Sequence, residues 1–221
     1  MENLKLIEKE AQEHHKIAQH EKEVAQKLKV SALTEIKKSK ARETLMKIEY
    51  KLADIKEDLA EKRNLLAKEK TEIKNNKILD FSEEELKIER DYAIYNEKIA
   101  KNQKEIAEIN KRIAIAEKEI AEEKVKLAKE KLNVAKIREE LTKKQLLYIK
   151  VARAEASEEK IMRAKNNVEK QKEGLIKQKN DALEAEKKVK KRENKLADLK
   201  KELSLKYSER EKIRHPGVII A

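Results

Sequence analysis

Along one stretch of the chain every seventh residue is large and apolar: positions 92, 99, 106, 113, 120, 127, 134, 141 and 148 read Tyr, Ile, Ile, Ile, Ile, Leu, Val, Leu and Tyr. From Ile99 to Val134 each of these is followed by alanine. A period of seven keeps one stripe of an α-helix turned toward a partner helix over many turns. Three residues further on, the second column of such a stripe is only half apolar: Tyr95, Asn102, Ile109, Ala116, Glu123, Glu130, Ile137, Lys144 and Val151. A small residue beside each large one lets two helices approach closely over a long contact.

The first third carries its own stripe, Ile17, Val24, Ser31, Lys38, Leu45, Leu52, Leu59, Leu66 and Ile73, with Ile48 and Ile55 in the second column. Ala18, Ala25, Ala32, Ala53, Ala60 and Ala67 repeat the apolar-then-alanine pairing, and Ser31 with Lys38 opens a polar gap. Between the two stripes lies "NNKILDFSEEEL", residues 75–86. Ser82 with Glu85 forms a capping box, Phe81 stands where a staple residue belongs, and Asn75 and Asn76 suit a helix end. A reversal there lays Leu45, Leu52, Leu59 and Leu66 along Ile99, Ile106, Ile113 and Ile120, an antiparallel helical hairpin with an intrachain seam.

A third stripe, Ile161, Val168, Leu175, Ala182, Val189, Leu196 and Leu203, starts 13 residues after Tyr148, one short of two repeats. One skipped residue swings the stripe by about 100°. "VARAEASEEK" between them has good helix formers and no breaker. These observations predict one continuous helix from about 82 to 213 whose distal face, the seam of Ile161, Val168, Leu175, Val189, Leu196 and Leu203, has no partner within the chain and serves assembly. A turn near Ser157, giving three helices, is the alternative.

The expected fold is therefore all-α: very long helices in an antiparallel helical hairpin or coiled coil, with a long C-terminal helical extension. The expected divisions are a first helix over 1–75, a turn over 76–82, a second helix over 83–155, a basic helical extension over 156–213 and a tail over 214–221. At about 1.5 Å per residue the two helices would be roughly 110 Å and nearly 200 Å long, a rod.

Composition agrees. Two glycines and one proline in 221 residues leave almost no turn vocabulary. Aromatic content of 3% with no tryptophan supplies too little bulk for an ordinary globular core. Charged residues make up 45%, interspersed in sign over periodic apolar positions, which favours long helix over disorder. With no cysteine there are no disulfides or thiolate metal sites. "MENLKLIEKEAQ" lacks the pattern of a secretory signal, and no apolar run approaches the 18 to 20 residues of a spanning helix, so a cytoplasmic location is expected.

Charge shifts the picture only at the distal end. Residues 156–221 hold 19 basic and 12 acidic side chains, contributing 7 of the net +12. Within them Lys187, Lys188, Lys190, Lys191 and Arg192 surround the seam residue Val189, a candidate contact for the phosphates of an anionic membrane or nucleic acid. Glu184 and Glu186, four residues before Lys188 and Lys190, supply the competing reading of an ordinary ion-paired helix face. No aromatic interleaving or base-reading motif accompanies the patch. A hairpin followed by further helix resembles, in architecture alone and without a shared motif, the membrane-remodelling proteins of the ESCRT-III and phage-shock type.

Chemistry is otherwise sparse. His14, His15 and His20 have spacings that do not place two ligands on one helix face. There is no phosphate loop and no nucleophile motif, and the carboxylates lie on exposed helix faces. No catalytic residue, cofactor, metal or small-molecule substrate is expected. Gly174 is a candidate hinge or close-approach point, and the apolar "VIIA" end a candidate plug. The functional expectation is a structural protein that forms an oligomer or filament, or serves as scaffold or stalk with other subunits. The alternative is an adaptor that docks its basic distal helix on an anionic surface, and a tentacle-like chaperone is a third class.

Overall fold

The computed structural model describes residues 2–75 and 82–214. Three helices make up these residues, α1 (Glu2–Asn75), α2 (Glu83–Arg153) and α3 (Glu158–Arg214), with no strand among them. The protein is all-α. Phe81, Asn76 and most of the expected turn, and the tail with Pro216, Gly217 and "VIIA", lie outside the described residues.

Local sequence explains the helix ends. The Ser82 carbonyl accepts the first bond of α2 from the Leu86 N–H at 3.2 Å. Glu83, Glu84 and Glu85 occupy the first turn of α2 and Lys150 and Arg153 its last, each sign complementing the helix dipole. Glu158 and Glu159 open α3, and Lys212 and Arg214 close it.

The expected continuous helix over 82–213 is corrected here: the chain turns at Ala154–Ser157. Glu155 takes the left-handed conformation (φ 49°). Its N–H bonds the Ala152 carbonyl and the Ala156 N–H bonds the Val151 carbonyl, both at 3.4 Å, which is the Schellman pattern that ends a helix. The Ser157 carbonyl then accepts from Lys160 and Ile161, starting α3. A non-glycine residue in this conformation costs about 1 kcal/mol. Glu155 is exposed and holds no ion pair among the described residues, so Glu155→Gly is expected to stabilise the fold by about 0.5–1 kcal/mol in chemical denaturation.

The chain divides into two units, each taking a segment of every helix: Met1–Lys37 with Lys118–Glu193, and Lys38–Glu117 with Asn194–Ala221. In the first unit Glu8, Ala11, Glu21 and Glu35 of α1 meet Arg153, Thr142, Arg138 and Lys124 of α2. Numbers rise on one helix as they fall on the other. Between α2 and α3, Gln171 bonds the Ile137 carbonyl and Glu140, Gln178 bonds Glu130, and Arg192 bonds Glu119 and Glu123.

The core of this unit overturns the assignment of the third stripe to assembly. Val168, Leu175 and Ala182 of α3 pack with Val134 and Leu141 of α2 in one apolar cluster, joined by Ile137 and Tyr148. Val189 is also buried and Ile161 half-buried here, and in the second unit Leu196 and Leu203 are half-buried. Because the chain reverses at 154–157, the α3 stripe turns back onto the large apolar column of α2 and is covered within the chain.

Toward α1, α2 presents alanine instead. Ala121, Ala128 and Ala135 have no exposure, and neither do Ala11, Ala18, Ala25 and Ala32. The Thr142 hydroxyl reaches the Ala11 carbonyl. Steps of seven from that contact bring Ala135, Ala128 and Ala121 opposite Ala18, Ala25 and Ala32, so small residues face small residues along the contact.

The second unit repeats the scheme. Arg42, Glu57, Asn64 and Lys70 of α1 meet Glu117, Lys104, Glu97 and Glu89 of α2. Lys206 of α3 meets Glu105 and receives Asn102 on its carbonyl, while Arg112 meets Glu202. Ala53, Ala60 and Ala67 are buried here, as are Ile106 and Ile113, with Ile99 half-buried; Ile120, in the first unit, is buried too. The other half of the expected intrachain seam is corrected: Leu45, Leu52, Leu59 and Leu66 are 58%, 51%, 49% and 52% exposed. Alanine allows the close approach, so α1 turns its small column inward and its leucines, about 100° around the helix, outward.

Candidate functional site

The most conspicuous surface in the second unit follows from that inversion. Leu45, Ile48, Leu52, Ile55, Leu59 and Leu66 succeed one another at alternating steps of three and four, broken only where Lys62 takes the place after Leu59. All six are between 49% and 63% exposed. This is the a/d pattern of a two-helix seam, extending about 32 Å along α1 with nothing packed over it among the described residues. These residues form one contiguous apolar stripe and not a scatter of single exposed leucines.

Charged residues flank it. Glu49 and Lys56 lie on one edge and Lys51 and Asp58 on the other; all four are exposed and none has an ion-pair partner among the described residues. The helix neighbours three and four positions from Glu49 and Lys56 are Leu45, Met46, Leu52, Ala53, Leu59 and Ala60, which offer neither charge a partner. By contrast, the α2-facing charges of α1 are engaged: Asp54 and Glu57 both hold Lys104 at 2.6 Å. These two carboxylates hold the Lys104 ammonium well above its ordinary value. An open cleft of about 210 Å³ beside the stripe is lined by Glu49, Leu52, Lys56, Ile106, Tyr207 and Arg210.

The basic distal segment divides on inspection. Arg192 is held by Glu119 and Glu123 of α2, and Lys187 by Glu184 at 2.7 Å, a bond that lowers the Glu184 pKa. Lys188, Lys190 and Lys191 are exposed without an ion pair among the described residues.

His14 and His15 are tied into side-chain contacts. His15 contacts Gln19 at 3.0 Å, while His14 Nδ1 lies 3.1 Å from Arg138 Nη1. Arginine can only donate, so His14 must accept there as a neutral ring. Arg138, buried, also grips Glu21 through two bonds of 2.9 and 2.8 Å. Partial burial first, then Arg138 and Lys179, push the His14 pKa below 6.5, while Glu10 and Glu13 oppose them. With the folded pKa depressed, the unfolded chain binds the proton first as pH falls, so this contribution to stability is present above about 6.5 and fades below it. The unfolding midpoint is expected to be lower at pH 5.5 than at pH 7.5, and His14→Gln, which keeps an acceptor, should shrink that difference in parallel thermal melts.

No group of three His, Cys, Asp or Glu side chains that could hold a metal ion occurs among the described residues. None of the described helices is long and apolar enough to cross a membrane. A side chain at Gly174 would meet nothing within 4 Å, so this glycine is not a close-approach point.

The outward turn of the leucines had a sequence signal. At Ser31 and Lys38 the large column becomes polar, yet its neighbours stay small, Ala32 and Ser39, both buried. A column that tolerates lysine faces water, and the column that never tolerates bulk there faces the partner helix. Compared with protein-family models, curated proteins and solved structures, the chain matches none of them.

Proposed function

We propose that this chain is a non-enzymatic assembly protein: an antiparallel helical hairpin of α1 and α2, with α3 folded back along α2, that self-associates through a coiled-coil seam on α1 and serves as a structural scaffold. The hairpin reading is supported by α1–α2 contacts whose numbers run in opposite directions in each unit. Self-association rests on one observation, the a/d stripe Leu45–Leu66, which is apolar, periodic and uncovered. Association hides such a stripe from water, and the mismatch between half-exposed leucines and solvent is its driving force.

Sedimentation equilibrium on the full chain tests this. Mass is expected to rise above the 25.9 kDa of one chain as concentration increases. A single 25.9 kDa species from micromolar to millimolar concentration would falsify the proposal.

A second reading, docking on a phosphate-bearing surface, is supported by Lys188, Lys190 and Lys191, exposed without ion pairs among the described residues. It requires binding to anionic vesicles or DNA that weakens as salt rises and is lost when the three lysines become glutamine.

A further inference from the structure

We infer that the α1 seam pairs with a second copy of this chain in antiparallel orientation, about a twofold axis passing between Ala53 and Asp54. This rests on the reading that the chain self-associates; what it adds is the partner, the register and the polarity. In a twofold interface the same patch must complement itself. Turning one helix end for end about that axis sets Leu52 against Ile55 of the second copy and Ile48 against its Leu59. Symmetry repeats both, giving four consecutive apolar layers at the centre of the stripe. Leu45 meets Lys62 of the second copy, whose methylene stem covers apolar surface while its ammonium reaches water.

The flanking charges select this orientation. In an antiparallel pair each edge of the seam faces the same edge of its partner. Glu49 then lies opposite Lys56 of the second copy, and Lys51 opposite its Asp58. Each contact occurs twice, so the four exposed charges that lack ion pairs within the described residues all find opposite charges. One like-charge contact remains, Arg42 opposite Arg63 of the second copy, and Arg42 is already held by Glu117 at 2.8 Å. A parallel pair is poorer on two counts. Its edges meet five positions apart, which puts Lys51 against Lys56 of the second copy. Its layers set each residue against its own equivalent, stacking Lys62 on Lys62 inside the seam.

Charge exchange on the full chain separates these possibilities, read by sedimentation equilibrium at low salt. Lys56→Glu, which places a glutamate opposite Glu49 at both symmetric contacts across the interface, is expected to weaken self-association about 10-fold. Glu49→Lys should do the same. Glu49→Lys combined with Lys56→Glu restores opposite charges and should bring the affinity back to within about 3-fold of the original. The two residues are seven apart on one helix, too far to pair with each other within a chain, so rescue reports a contact between copies. If the unaltered chain associates but the double variant stays as weak as the single ones, or the single ones change nothing, antiparallel pairing is wrong while self-association stands. If the unaltered chain never exceeds 25.9 kDa, both fall together.

Discussion

Enlarging Ala128 to leucine is expected to lower the free energy of unfolding by about 3 kcal/mol, at the upper end of what overpacking usually costs. Ala128 has no exposure, and in seven-residue steps from the Thr142–Ala11 contact it sits opposite Ala25, equally buried. Three added carbons have nowhere to go unless α1 and α2 separate, and separation would also strain the Arg138–Glu21 grip, about one turn from Ala25 on α1 and nearly three from Ala128 on α2. Chemical denaturation at dilute concentration, followed by helix content, gives the number. Leu52→Ala supplies the contrast: Leu52 is 51% exposed, so its truncation in the single chain should cost under about 1 kcal/mol. An equal cost at the two sites would contradict the inward alanine, outward leucine arrangement.

The opposite ranking is expected for association. Changing Leu52 and Ile55 together to glutamate should weaken self-association by about 100-fold or more. Each side chain is at least half exposed, worth about 1 kcal/mol on full burial, and each is buried twice in a twofold pair. The single chain should change little, with its unfolding free energy lowered by less than about 1 kcal/mol, since both side chains are more than half exposed within it. Sedimentation of the double variant beside the original chain, with denaturation of both at the lowest concentration, checks the two halves of this expectation.

The periodicities made the helices legible, and the capping signs around Ser82 placed the start of α2. The turn at 154–157 was harder to read because it uses no glycine or proline: Glu155 occupies the left-handed position itself. Two traces of it were nevertheless present, the one-residue slip between the stripes and Ser157 followed by two glutamates, a helix start in the midst of helix formers. Burial was misread for a physical reason. Ranking columns by apolarity puts leucine inside and alanine at the margin, which is right when helices are held apart by large side chains. When they approach closely, the small column is the contact and the large one is left outside. In the first unit two different helices cover the two columns of α2, alanine lying against α1 and Val134 and Leu141 against α3. The candidate surface on α1 was thus visible in the sequence as a pattern, but its exposure required knowing which neighbour claimed the alanines.

The exposed seam as an interface between copies is tested most directly by the accessibility of Ile55. The natural chain has no cysteine, so Ile55→Cys introduces a single thiol at a position that is 63% exposed. Under reducing conditions its rate of maleimide labelling should be that of an open thiol in dilute solution and fall as concentration rises, while a cysteine at Lys165, on the exposed side of α3, keeps a constant rate. A labelling rate at position 55 that stays equally fast across the whole concentration range would contradict the assignment of this seam to self-association.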